Sequence, residues 1–235
     1  MEIQINISAT ARAQTNSLNR PIAQTQKGIA NFYKWFGKSK AIDVETRPLV
    51  LYHGGNESIH RIDTQRFGKG NDQLGSGFYL TTSPHDASNY TKQDGGNVMP
   101  VYASITKPVP ELGHLPRIRI FGLIKAAPQL DEVLWNFGDY VDGGKERTIN
   151  SVIDSYYEDQ STIIETLNAI SNDFYSGDEG LFLRNVYMRT GYDGIIRKYG
   201  NVTHYVVWFP NQIKSVNNVG TSDKTNHSII AYHEN

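Results

Sequence analysis

The fold is decided by the stretch GSGFYLTTSPHDASNY at residues 75–90. Two glycines come directly before Phe78–Thr81, a short run with the aromatic and β-branched side chains typical of a strand. Ser83 then precedes Pro84, and Asp86 follows three residues after the serine, which is the pattern of a capped helix N-terminus. Because a strand and not a helix follows the glycines, neither a P-loop nor a Rossmann turn fits. The stretch therefore predicts a loop, a strand and a helix in immediate succession.

Further short elements are expected on both sides of this stretch. Apolar residues at helical spacing predict a helix over Ile29–Phe36 that ends at Gly37. A strand is expected to end at the flexible His53-Gly54-Gly55. That strand is Leu49–Tyr52. Runs of strand character predict three further strands, at Met99–Thr106, Gly194–Arg197 and His204–Phe209.

A helical block is predicted between residues 117 and 190. Apolar residues recur there every three or four positions, as on one face of a helix. The three stripes are Leu130, Val133, Leu134 and Phe137; Ile149, Val152, Ile153 and Tyr156; and Ile163, Leu167, Ile170 and Phe174. Strands, a helical block and strands again make an α+β chain without the regular alternation of a doubly wound fold.

The chain has 235 residues, a net charge of -1 and no cysteine. The polar segments 1–28 and 221–235 are interpreted as flexible tails on one domain over 29–220. Absence of cysteine excludes disulfides and thiolate chemistry, and the dispersed charge lacks the basic footprint of a nucleic-acid binder. No apolar run approaches the ~20 residues of a membrane span, and the N-terminus lacks the pattern of a Sec-type signal. We expect a cytoplasmic protein, in the producing cell or in a target cell after delivery.

The stretch 75–90 resembles, without gaps, the nicotinamide-pocket segment of the poly(ADP-ribose) polymerase and diphtheria-toxin-like class of ADP-ribosyltransferases. That segment has Gly-x-Gly-aliphatic-Tyr and a second Tyr eleven residues later, which here are Tyr79 and Tyr90. His53-Gly54 is similar to the His-Gly of the first core strand in that class. Segments 35–40, 48–53, 191–195 and 209–215 resemble parts of the ADP-ribosyltransferase domains of phage and mobile-element polyvalent proteins.

The resemblance implies an ADP-ribosyltransferase fold, with two packed, mostly antiparallel sheets, an NAD cleft and the helical block as an insertion. It implies NAD as co-substrate, with His53, Gly54, Gly77, Tyr79 and Tyr90 as its binding residues. Two tyrosine faces can sandwich the cationic nicotinamide ring. The backbone of Gly54 can pair with the carboxamide, and His53 can hydrogen-bond a ribose hydroxyl. The implied catalytic residues are His53, Tyr79 and the residue at position 204.

Position 204 departs from the class, which usually has a glutamate there to stabilise the positive charge that grows on the ribose. Neutral imidazole brings no negative charge, and loss of one such group typically costs roughly 10²–10³ in rate. Three interpretations stay open. His204 orients the ribose or acts as a base; a carboxylate from Asp193, Glu158 or Asp159 substitutes; or the domain binds NAD or a partner without transfer. For Asp193 we favour a structural role in its turn.

Other positions bear on affinity and specificity. Gly55 and Ala87 stand where relatives often have hydroxyl side chains, and each lost hydrogen bond is worth about 1 kcal/mol. Val202 stands where arginine-modifying toxins have an acidic or amide residue, so arginine modification is not supported. The histidines and carboxylates lack metal-ligand spacing, and we expect no metal.

The sequence thus predicts a mono-ADP-ribosyltransferase that acts as a toxin, effector or phage counter-defence factor. We expect a macromolecular acceptor, protein in preference to nucleic acid, and no membrane partner. The alternatives are an NAD glycohydrolase and a catalytically weak or inactive module that binds NAD, ADP-ribose or a partner. The activity of an RNA 2′-phosphotransferase, which has a related fold, is not supported, because this sequence lacks the set of arginines that would bind the phosphates.

Overall fold

The computed structural model describes residues 12–57, 59–64, 67, 73–91, 96–136, 144–158, 162–218, 222–223 and 225–229. Among these residues there are six strands and seven helices. The strands are β1 (Leu51–Gly55), β2 (Phe78–Thr81), β3 (Asn97–Ala103), β4 (Gly194–Tyr199), β5 (Val202–Val207) and β6 (Ile213–Ser215). The helices are α1 (Gln26–Phe36), α2 (Pro84–Ser88), α3 (Arg117–Lys125), α4 (Leu130–Asn136), α5 (Lys145–Glu158), α6 (Ile163–Phe174) and α7 (Glu179–Arg189).

The strands form one sheet in the order β4-β5-β2-β1-β3-β6. Neighbours pair antiparallel in β4–β5, β2–β1, β1–β3 and β3–β6. The predicted α+β class is confirmed. We expected two packed sheets, and the hydrogen bonding instead joins all six strands, because β2 lies between β5 and β1.

The chain divides into two compact units. The first comprises Met1–Ile62, Thr81–Ile105 and Pro210–Asn235, and the second Asp63–Leu80 and Thr106–Phe209. In the first unit, α1 packs an aromatic cluster against β3. Phe32 lies edge-on to Tyr102 with ring centroids 4.9 Å apart, and Trp35 is buried and donates its indole N–H to the carbonyl of Asn211 at 2.7 Å.

The second unit contains the predicted helical block, and its helices bury the apolar stripes that the sequence indicated. Ile149, Ile153, Leu167 and Ile170 are at most 1 % exposed. They join the inner residues of β4 and β5 in one apolar core. The predicted residue Phe137 lies outside the described residues.

The tails predicted at residues 1–28 and 221–235 differ from the structure where it describes them. Asn16 is buried and donates its side-chain amide to the hydroxyl of Tyr102 at 2.8 Å, and α1 begins at Gln26, capped by Thr25. Ile229 is fully buried, and its N–H donates to the carbonyl of His60 at 2.8 Å. These described residues are held by buried hydrogen bonds and apolar side chains, and the flexible tails stay a prediction.

Candidate active site

His53 and Gly54 lie inside β1, where we expected a flexible segment after the strand. β1 continues to Gly55 because its backbone pairs with β3, with His53 opposite Met99 and Gly54 opposite Val98. The imidazole of His53 lies beside Gly55, two residues further along the strand, since a Cβ atom on residue 55 would be 3.3 Å from Nε2. The hydroxyl-bearing side chain that relatives have at position 55 would therefore contact this ring.

Gly54 is required by its packing against α2. A Cβ atom on residue 54 would lie 1.7 Å from the carbonyl oxygen of Ala87, so only glycine fits. The same oxygen accepts the N–H of Tyr90 at 3.2 Å. One carbonyl thus connects the His-Gly strand to the second tyrosine, which lies just after the helix.

Tyr90 presents its ring to solvent, with 65 % of the residue exposed. The helix before it begins as predicted, because the hydroxyl of Ser83 accepts the N–H of Asp86 at 3.2 Å. An exposed aromatic ring on a short capped helix is available to stack on a planar ligand.

Tyr79, in the second unit, is held in a fixed position. Its hydroxyl accepts the N–H of Leu74 at 3.0 Å and donates to the carbonyl of Gly75 at 2.9 Å. The ring packs against the apolar core. The hydroxyl therefore ties the glycine loop to β2, while one side of the tyrosine is anchored by the core.

Gly77 packs against β5. A Cβ atom on residue 77 would lie 2.5 Å from Cγ1 of Val206 and 2.9 Å from the carbonyl oxygen of Val207. The resemblance implied that Gly77 binds NAD, and the structure supplies a packing reason for a glycine at this position.

His204 lies half-buried on β5, directly opposite Arg197 on β4. Opposed residues of an antiparallel pair share one face of the sheet, so the two side chains are neighbours. The ring of Tyr199 lies 5.2 Å from that of His204, centroid to centroid, at an angle of 56°. Position 204 is thus flanked by a cation and an aromatic ring.

A carboxylate that the sequence did not indicate lies close to this position. Nη2 of Arg197 donates to Oε1 of Glu165 at 3.2 Å, and Oε2 of Glu165 accepts the N–H of Thr162 at 2.8 Å at the start of α6. The Thr162 backbone hydrogen bond, with smaller help from the guanidinium, holds the pKa of Glu165 below its usual range. A capping box was the available signal, with Thr162 three residues before Glu165, but the contact with β4 is tertiary.

Asp193 is held by three hydrogen bonds. It accepts the N–H of Thr106 at 2.7 Å, the Thr106 hydroxyl at 2.6 Å and the N–H of Lys107 at 2.7 Å. It therefore has a structural role, as we favoured, although it fastens residues 106–107 and not its own turn. The side chain of Glu158 and all of Asp159 lie outside the described residues, so their substitution stays a prediction.

The model of the family described as ADP-ribosyltransferase in polyvalent proteins matches residues 43–222, and the chain belongs to this family. Comparison with curated proteins and with solved structures finds no match. The matched range includes all of the predicted site residues. Family membership makes this an ADP-ribosyltransferase domain, whose family uses NAD as co-substrate.

Two absences among the described residues concern metals and membranes. No group of three or more His, Cys, Asp or Glu side chains in these ranges could hold a metal ion. No described helix combines the length and the apolar character needed to cross a membrane.

Proposed function

We propose that the protein is an NAD-dependent mono-ADP-ribosyltransferase that acts on a macromolecular acceptor, a protein in preference to a nucleic acid. The observation that carries this proposal is the family match over residues 43–222, which contains the anchored ring of Tyr79 and the exposed ring of Tyr90. The setting we propose is a toxin, effector or phage counter-defence factor. It would act in the cytoplasm of the producing cell or of a target cell.

In the proposed reaction, the bond between nicotinamide and the ribose C1′ breaks, and nicotinamide leaves with the bonding electrons. The acceptor nucleophile then bonds to C1′ and loses a proton. Tyr79 and Tyr90 stack on the nicotinamide ring, and the backbone of Gly54 pairs with its carboxamide. His53 binds a ribose hydroxyl, and His204 orients the ribose or accepts the acceptor's proton.

A non-catalytic module that binds NAD, ADP-ribose or a partner is the second candidate. It is favoured by one observation, that His204 faces Arg197 at the position where the class has a carboxylate. A cation there opposes the positive charge that develops on the ribose, so the same geometry supports binding better than transfer. An NAD glycohydrolase, with water as acceptor, is a variant of the first candidate.

The test is nicotinamide release from NAD, together with transfer of labelled ADP-ribose to lysate. We expect release by the wild type and strong loss in Tyr90→Ala, because this variant removes a stacking ring from an exposed site. Trp135→Ala is the matched control, since Trp135 is an aromatic residue of similar exposure, 72 %, on α4 of the helical block.

The outcomes separate the candidates. Absence of release from every sample overturns the enzyme proposal, and NAD binding that depends on Tyr90 then supports the module. Release of nicotinamide without transfer of labelled ADP-ribose to any component of the lysate supports the glycohydrolase. Equal release by the wild type and Tyr90→Ala contradicts the role of Tyr90.

A further inference from the structure

The second unit contains a cavity of about 650 Å³ that the proposed reaction does not use. It is lined by residues of the segment before β2, by α6, by the start of α7 and by the end of β4. Such a volume is typical of sites for small molecules or for part of a larger ligand. None of the five residues predicted to bind NAD is among its lining residues.

Two amides on one face of α6 lie in the wall of this cavity. Asn168 and Asn172 are four residues apart, so they lie on the same side of the helix. Within the part of the chain that the structure describes, neither side-chain amide makes a hydrogen bond. Each offers a donor and an acceptor to a ligand.

The acidic groups of the wall have a local explanation. Glu179 accepts the N–H of Gly177 through Oε1 at 2.9 Å, and both Asp178 and Glu179 stand at the N-terminus of α7, where negative charge is favourable. These carboxylates therefore do not require a cationic ligand.

Arg184 is only partly satisfied. Its Nη2 donates to the carbonyl of Trp208 at 3.4 Å, and its guanidinium carbon lies 5.6 Å from the ring centroid of Phe67. Its Nε is buried and has no hydrogen-bond partner among the described residues. Because this Nε is buried, it does not face the cavity, and Arg184 contributes only the positive charge of its guanidinium to the wall.

An aromatic ring completes the set. Tyr199 lines the cavity, is 44 % exposed, and lies beside His204. A planar ligand can stack on this ring while amides contact its polar edge, which is how proteins bind unstacked bases.

We propose that this cavity binds a nucleobase. The two amides and the exposed ring together match a flat heterocycle with donors and acceptors on its edge. Phosphates would stay outside, because the wall contains two carboxylates and one guanidinium. The base can come from a free nucleotide or from a single-stranded nucleic acid.

The test is calorimetric titration of the full chain with adenosine, ADP-ribose, an oligoadenylate single strand and ribose 5-phosphate. We expect adenosine to bind and ribose 5-phosphate, which has no base, not to bind. Asn168→Leu and Tyr199→Ser should each weaken adenosine binding about tenfold or more, through lost hydrogen bonds or stacking. Asn185→Leu is the matched control, an exposed asparagine on α7 that does not line the cavity, and should leave binding unchanged.

The four ligands distinguish a free nucleotide from a nucleic acid as the source of the base, and the variants show which result overturns the proposal. Equal binding of adenosine and ADP-ribose without binding of the oligonucleotide supports a free nucleotide, and tighter binding of the oligonucleotide supports a nucleic acid. No binding of adenosine, or equal binding by wild type and both cavity variants, overturns the nucleobase site. Nicotinamide release is measured separately, so binding without release refutes only the proposed function.

Discussion

Gly54 of β1 and Ala87 of α2 are in direct backbone contact, and a Cβ atom on residue 54 would lie 1.7 Å from the Ala87 carbonyl oxygen. The glycine of the predicted His-Gly pair is therefore fixed by the fold of the first unit, whether or not a ligand is bound. The oxygen that excludes a side chain at residue 54 also accepts the N–H of Tyr90.

Gly54→Ala should destabilise the protein severely, by about 3 kcal/mol or more, because α2 must move to relieve the clash. Gly122→Ala is the control, since a Cβ atom there meets nothing within 4 Å inside α3. This control should stabilise the protein by about 0.5–1 kcal/mol through helix propensity. Thermal or urea unfolding measures both, and equal stability of Gly54→Ala and wild type would show that the contact is absent.

Asp193→Ala should cost about 2–4 kcal/mol of unfolding free energy, because three donors on Thr106 and Lys107 lose their acceptor. Nicotinamide release per folded molecule should not change. Asp154→Ala, which breaks only an exposed pair with Arg117, should change stability by about 0.5 kcal/mol or less. A stable Asp193→Ala protein without release would instead identify Asp193 as the substituting carboxylate.

His204→Glu should increase cleavage of NAD by roughly 10²–10³, because it restores negative charge beside the developing cation. Arg197, directly opposite on β4, should keep the new carboxylate ionised. His204→Gln is the control, with similar size and no charge, and should give no gain. If a folded His204→Glu protein is no faster than wild type, position 204 does not correspond to the glutamate of the class.

Lys214 on β6 predicts an unusual pH dependence of stability. Its side chain is 1 % exposed, its Nζ donates to the carbonyls of Asn226 and Ser228 at 2.6 and 2.7 Å, and burial lowers its pKa to about 8 from 10.5. Above pH 8 the unfolded chain holds a proton that the folded chain has lost, so the unfolding free energy should rise with pH. The ceiling for one proton is about 1.4 kcal/mol per pH unit.

The measurement for Lys214 is urea unfolding between pH 7 and about 9.5, below the range where unfolded tyrosines ionise. A neutral amine still has two N–H donors, so both carbonyls stay satisfied as the proton leaves. Lys214→Met should abolish the rise between pH 8 and 9.5. If the unfolding free energy rises equally with pH in the wild type and in Lys214→Met, another group is responsible for the rise.

Local sequence patterns predicted the helices and their caps well, and the strands less well. The stripes of α5 and α6 and the cap at Ser83 depend on neighbours within one turn, so they are visible in the sequence. β1 was predicted to end before His53, because glycines punctuate loops, whereas pairing with β3 extends it through Gly55. β6 has only three residues, too few to show a period.

In the candidate site, too, features set by spacing along the chain were predicted, whereas those set by tertiary packing were not. The motif placed Tyr79 on β2 and Tyr90 just after α2, because both are set by spacing along the chain. The contact of Glu165 with Arg197 and the wall formed by Asn168 and Asn172 depend on how α6 packs, which no local pattern encodes. Tyr199 was missed because the strand was predicted to end at Arg197, whereas β4 extends to Tyr199.

The late position of β6 has a consequence for synthesis. β3 pairs with β6 through Val101 and Ser215, so one edge of β3 stays unpaired until the residues of β6 have been synthesised. At ~5–20 residues per second this interval is on the order of ten seconds, during which that edge is open on the ribosome. A nascent chain therefore lacks the β6 partner of β3 until residue 215 has been made, and the unpaired edge of β3 is a template for strand pairing until then.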